Sequence, residues 1–206
     1  MRPFRDRNEA GRQLAAQLPS LDRPMVLGLP RGGVPVAAAI ARAIGAPLDV
    51  FVVRKLGVPV QPELAMGAVA SGGIRVVNED VIHQSRVPPE VLDEVTAREH
   101  AVVESRERLY RGDRPPPTLG GRDVVLVDDG LATGATMRAA VAAVREHAPS
   151  RVVVAVPVAP AETVAAFSRD GIEIVCVHVP SAFVAVGAWY RDFGQVEDDE
   201  VIRYLS

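Results

Sequence analysis

Cysteine is nearly absent: Cys176 stands alone in 206 residues, so no disulfide framework can form. Its apolar neighbourhood reads as that of a buried small hydrophobe, which suits a reducing compartment. Lysine is as scarce, Lys55 being the only one among 23 basic residues. Either a compact ammonium is wanted there where a planar guanidinium would not serve, or one lysine has survived by chance in an arginine-rich composition. Aromatic residues make up only 4% of the chain, and five of the nine fall within 179–206. No apolar run approaches the ~18 residues of a membrane span and no signal-peptide apolar segment opens the chain, so a soluble, cytoplasmic protein is expected. A net charge of −3 gives no general attraction to nucleic acid, so any anion site must be local. Neither a nucleic-acid nor a membrane partner is expected. Also missing are G-x-x-x-x-G-K-[ST], G-x-S-x-G, H-E-x-x-H and any cysteine pair, and Gly28, Gly32 and Gly33 do not have the spacing of G-x-G-x-x-G. The four histidines, at 83, 100, 147 and 178, are scattered and read as structural or solvated.

What is present is organised around residues 124–137. Val124 to Val127 is a β-branched apolar run, the composition of a central parallel strand buried on both faces. Asp128 and Asp129 follow at its carboxyl end, the edge where open α/β sheets bind ligands. Gly130 to Thr136 then supplies two glycines and two threonines before an Ala-rich helical stretch over 137–147. Glycines let backbone amides approach a ligand, threonines add hydroxyls, and the helix N-terminus adds roughly half a positive charge. Such a loop is a phosphate cradle. The two acids would repel that phosphate and need another partner, either vicinal hydroxyls or a Mg2+ ion. A ribose 5-phosphate satisfies both halves.

Hydrophobic strand, two acids and Thr-Gly-x-Thr together resemble the signature of the type I phosphoribosyltransferases, which use 5-phosphoribosyl 1-diphosphate (PRPP). The resemblance implies that Asp128 and Asp129 hold the ribose hydroxyls and, indirectly, a Mg2+ cofactor. It places the 5′-phosphate on Gly130, Ala132, Thr133, Gly134, Ala135 and Thr136. A second strand-loop-helix, Met25 to Leu29, Pro30 to Gly33 and Val34 to Ile44, carries Arg31, Gly32 and Gly33. This loop is similar to the family's pyrophosphate loop, where the entering peptide, here Pro30–Arg31, can be cis.

A third strand is expected over Leu48–Val53, ending in Arg54 and Lys55. Residues 55–73, with prolines 59 and 62, then read as a mobile lid that keeps water from an oxocarbenium-like transition state. Its start resembles the adenine enzymes. Arg54 and Lys55 are expected to neutralise the leaving group, and residues 66–70 and 74–77 to form a hairpin. Position 132 is an acid in some family members but alanine here, so Glu63 in the lid is the candidate for proton transfer, unless it is merely a solvated loop residue. A helix from Pro88 to about Tyr110 should bury Leu92, Val95, Val102 and Leu109. The tail, 179–206, is expected to act as a hood, with Phe183, Val184 and Asp192 reading the base as in similar hypoxanthine and guanine enzymes, or else to be a packing flap. The sequence thus predicts one α/β domain over 1–206, with a parallel sheet of about five strands flanked by helices. The activity implied is Mg2+-dependent transfer of ribose 5-phosphate from PRPP to a nitrogenous base, purine-like in preference, with pyrophosphate release, in nucleotide salvage and as a homodimer. The alternative is a PRPP-sensing regulatory module that has lost the chemistry.

Overall fold

Strands that read as unbroken Val, Leu and Ile can be buried only where helices cover both faces of the sheet. The computed structural model, which describes residues 2–206 apart from the side chain of Glu63, builds that sheet from β1 (Met25–Gly28), β2 (Leu48–Val50), β6 (Asp123–Val127), β7 (Arg151–Val158) and β8 (Glu173–His178). Its order is β2-β1-β6-β7-β8, every pair parallel, with β6 at the centre. Side chains alternate between faces with period two. Val124 and Leu126 point to a core shared with Met137, Ala140 and Val141 of α5 (Ala135–Arg145) and with Phe167 of α6 (Ala161–Arg169). Val125 and Val127 point to the opposite core, with Leu14 of α1 (Arg7–Ala15) and Val36 and Ile40 of α2 (Gly33–Ile44). The two helices on that face cross closely, since a Cβ on Gly11 would lie 2.6 Å from that of Ala39.

The strand expected over Leu48–Val53 is two strands in two sheets. After β2 the chain keeps one bond to β1, from Phe51 N to Gly28 O at 3.0 Å. Val52 then exchanges partners, donating to the buried Ser71 Oγ at 2.9 Å and accepting from Ser71 N at 2.8 Å. This pairing turns the chain outward into β3 (Val53–Val58), which with β4 (Gln61–Ala70) and β5 (Ile74–Val77) forms a separate antiparallel sheet. The stretch read as a lid loop is therefore mostly strand, with a tip at Val60 that is 92% exposed. The β4–β5 hairpin lies where the sequence places it, closed by a short 3-10 turn at Ser71–Gly73.

Helix α3 (Glu79–Ser85) leads to α4 (Pro89–Arg111), whose buried line is Leu92, Val95, Val103 and Tyr110. The expected Val102 and Leu109 are 36% and 45% exposed. Both spacings fit a helical period, but the residue one step further round meets Leu56, Val58 and Met66 of the small sheet and Val201 and Leu205 of α7 (Asp198–Leu205). Beneath α4, Arg111 and Asp49 form a buried ion pair at 3.1 Å, and Arg111 also donates to Val50 O. Tyr190 of the tail is buried: Phe4 bridges it and stacks on His178 at 4.6 Å, and on its other side Tyr190 stacks on Phe193, which stays 36% exposed, at 4.9 Å.

Candidate functional site

Two loops meet at the carboxyl edge of β1 and β6. Asp128 and Asp129 emerge from β6, and Arg31 to Gly33 from β1, and Leu29 N donates to Val127 O at 2.8 Å to hold the two exits together. Glycine is required where they touch. A Cβ on Gly32 would overlap the Asp129 carboxylate, and one on Gly33 would lie 2.5 Å from Val127 O and 2.9 Å from the Asp128 Cα. The Pro30–Arg31 peptide is cis.

Each acid is held differently. Asp128 Oδ1 accepts from Asp129 N at 2.9 Å. Burial raises the pKa of Asp128 well above the usual carboxylate range, and the neighbouring Asp129 charge raises it further. Asp129 is also raised by burial, opposed by Arg7, whose Nε lies 2.9 Å from Asp129 Oδ2. Tyr190 donates its hydroxyl to Asp129 O at 2.6 Å, and burial keeps that phenol protonated. The loop then turns past Gly130, where a Cβ would lie 2.6 Å from Val186 of the tail, and Leu131 N donates to Val158 O.

Thr163 Oγ1 fixes the cradle by donating to Ala132 O at 2.7 Å. Gly134 takes the left-handed conformation, φ 74°, at the N-cap of α5, and Ala135 N donates to Thr133 Oγ1 at 3.5 Å. First-turn amides have no partner within their own helix, so Thr136 and Met137 present donors toward the loop. Thr133 and Thr136 are both exposed there. The arrangement can accept an anion at the α5 terminus and hydroxyls at the two acids, about one loop apart.

A cavity of about 610 Å³ opens beside Thr136 and Pro30 and is lined by Arg54, Lys55, Arg98 and Glu99. An adjoining cavity of about 440 Å³ shares Pro30, Arg54 and Thr136 and adds Arg31, Arg106 and Tyr110. Arg54 pairs with Glu99 at 2.9 Å, and Arg31 reaches Glu197 at 3.4 Å. Arg106 pairs with Asp198 at 2.8 Å, while Tyr110 donates to the same carboxylate at 2.6 Å. The structure thus brings Lys55 to the first cavity and Arg31 to the second, with Arg54 and Thr136 shared between them. Phe183, Val184 and Asp192 do not line either cavity: Val184 is 88% exposed, and Asp192 lines a third cavity of about 350 Å³ with Arg7. The Glu63 side chain lies outside the described residues, although its neighbour Pro62 lines the large cavity.

Arg7, Arg98 and Arg106 are the cations that sequence reasoning missed, and in so arginine-rich a chain no spacing marks them. Burial raises the Cys176 thiol to about 11, which fits an inert packing residue. Among the described residues no three His, Cys, Asp or Glu side chains converge on one point. The adjacent Asp128 and Asp129 suit a Mg2+ ion that brings most of its oxygen ligands with phosphate and water.

A phosphoribosyl transferase domain model matches residues 7–188. The chain belongs to the phosphoribosyl transferase family. Over 208 residues it is 48% identical to a Mycobacterium tuberculosis protein that carries a phosphoribosyl transferase name, covering 100% of this chain and 47% of that protein. The chain therefore spans about half the length of the curated relatives it matches. It is also 48% identical to TT1426 of Thermus thermophilus, whose crystal structure superposes with a TM-score of 0.90 and covers 100% of this chain and 98% of that one. An adenine phosphoribosyltransferase from Thermoanaerobacter pseudethanolicus shares the fold at 14% identity and a TM-score of 0.50, over 83% of this chain and 78% of its own. In this family member the matched span takes in α1, both edge loops and the small sheet, and stops within the tail.

Proposed function

We propose that the protein transfers ribose 5-phosphate from PRPP to a nitrogenous base, purine-like in preference, and releases pyrophosphate. One observation carries the reading: the Asp128–Thr136 loop and the Arg31–Gly33 loop abut through Gly32 and Gly33. Such contact supports a sugar-phosphate subsite directly beside a second anion subsite, as a diphosphate attached to C1 of the ribose requires. In this reading the α5 terminus binds the 5′-phosphate, and Asp128 and Asp129 accept from the ribose hydroxyls. The amide of Gly32 and the side chains of Arg31, Arg54 and Lys55 then face the diphosphate, while the Gly33 amide holds the loop by donating to Leu29 O at 3.0 Å.

In the reaction a base nitrogen forms a bond to C1 while the bond from C1 to the diphosphate oxygen breaks, and the electron pair leaves with pyrophosphate. Positive side chains around the leaving group stabilise that charge more in the transition state than in the ground state. Bound Mg2+ would add to this neutralisation, held through substrate oxygens beside Asp128 and Asp129. The proton lost by the base nitrogen is assigned to Glu63.

A second reading, a PRPP-sensing module without turnover, is favoured by one feature: position 132 carries alanine, so the loop that would bind the 5′-phosphate supplies no acid for proton transfer. Pyrophosphate release from PRPP and Mg2+, measured with a panel of purines, pyrimidines and orotate, separates the two. Release with a purine supports transfer. PRPP binding without release on any base supports the sensor, and no PRPP binding refutes both.

A further inference from the structure

Arg7, in the first turn of α1, is ordered on every side. Its Nε and Nη2 each lie 2.9 Å from the same oxygen, Asp129 Oδ2. Its Nη1 donates to Gly194 O at 2.8 Å, and the guanidinium lies 4.0 Å from the centre of the Phe193 ring. The side chain is only 12% exposed. A solvated surface pair has none of these properties: it is mobile, screened and nearly neutral in energy. Here a carboxylate, a carbonyl and an aromatic face use the whole guanidinium, and the acid it grips is 122 residues away.

We propose that Arg7 is a positioning residue of the ribose site, gripping Asp129 by one oxygen so that the other is presented, as an acceptor, to the sugar hydroxyls. The inference rests on the ribose reading of Asp128 and Asp129 given above.

The surroundings of Asp129 make such a residue necessary. From its own strand end it faces Asp128, whose charge opposes its own. From the tail it faces the neutral Tyr190 phenol, and from the β1 loop only the backbone of Gly32, because the neighbouring Arg31 turns to Glu197. The side chains that share the third cavity with Arg7 include the acids Asp6, Asp192 and Glu200. Arg7 is the cation in contact with Asp129. Without it, Asp129 Oδ2 would lose the two guanidinium bonds that fix its carboxylate, and the other oxygen would no longer be held in place for the sugar hydroxyls.

The test is binding of PRPP and, separately, of pyrophosphate, each with Mg2+, by calorimetry on the full chain, for wild type, Arg7→Met, Arg7→Lys and both changes to Arg7 in an Asp129→Asn background. Arg7→Met should bind PRPP on the order of tenfold more weakly and pyrophosphate, which has no ribose, within about twofold of wild type. Arg7→Lys keeps the charge but not the fork, so its loss for PRPP should be a few-fold. In the Asp129→Asn background either change should cost less than about twofold. An equal loss for both ligands, or an undiminished loss in the Asp129→Asn background, overturns the role. If Arg7→Met does not fold, wild-type PRPP affinity in Arg7→Lys overturns it as well. Failure of the wild type to bind PRPP overturns the ribose reading and this inference together. Tight wild-type binding with an inert Arg7 overturns only the inference.

Discussion

Asp128→Asn should make the ligand-free protein more stable while weakening its hold on PRPP. The carboxylate is buried at the end of β6, beside Asp129, and Asp129 N is the donor that reaches it. An asparagine is nearly isosteric and its Oδ1 can accept the same bond, so packing and the backbone contact survive while the charge disappears. The pH dependence follows from the raised folded-state pKa. Below the unfolded pKa both states are protonated, and the acid stabilises the fold relative to its charged form. As pH rises past the unfolded value, the unfolded chain releases the proton first, and stability falls until the folded pKa is passed. The variant escapes that loss. Removing an uncompensated buried charge is worth roughly 1–3 kcal/mol, and about 2–4 °C in Tm accompanies each kcal/mol in a domain of this size. Calorimetric melting at pH 5 and pH 8 measures it. The Asn variant should melt several degrees above wild type at pH 8, with a smaller gain at pH 5. A lower Tm at pH 8, or a gain equal at both pH values, would refute the claim that Asp128 is a destabilised acid.

Three further outcomes follow from the same geometry. Asp129→Asn should weaken PRPP binding by roughly 1–3 kcal/mol through lost charge-assisted bonds; unchanged affinity in a calorimetric titration removes Asp129 from the sugar site. Gly32→Ala must displace the Asp129 carboxylate, so it should destabilise the fold by about 1–3 kcal/mol and weaken PRPP binding, and a denaturant midpoint equal to wild type would contradict the close approach of the two loops. Glu63→Gln should lower turnover with the true acceptor by at least about tenfold and leave PRPP binding within about twofold; surviving turnover assigns the proton to another group.

The parallel sheet was legible because each of its strands is an apolar run followed by a turn signal, and β6 and β1 end within a residue or so of where composition places their ends. The loop from Asp128 to Gly134 was legible between β6 and α5 because a local motif specifies it. The turn of β3 out of the sheet was not, because Val50 to Val53 is equally apolar throughout and the cause is the hydroxyl of Ser71, a partner 19 residues away. The buried line of α4 failed by one position for a related reason: Val102 and Val103 are interchangeable in period, and only the location of the small sheet and α7 decides between them. The grip of Arg7 on Asp129 is a contact between a commonplace residue and a distant loop, and nothing local in α1 announces it.

The pairing of Phe4 with Tyr190 has a consequence for the order of events during synthesis. Phe4 N donates to Trp189 O, Arg191 N to Phe4 O and Asp192 N to Arg5 O, so an early segment is stitched to a late one directly over Asp129. On the ribosome the helices and the first strands can emerge and collapse while residues 189–194 are still in the exit tunnel, and chain elongation at about 5–20 residues per second is slow beside helix or hairpin formation. Until those residues emerge, Arg7 has neither the Phe193 ring nor the Gly194 carbonyl to hold it, and Asp129 lacks the Tyr190 hydroxyl. A nascent chain halted anywhere before residue 189 would carry the complete cradle sequence and still lack the finished pocket, so ligand capture by stalled chains of increasing length should switch on as a step once residues 189–194 have cleared the tunnel rather than when Thr136 emerges.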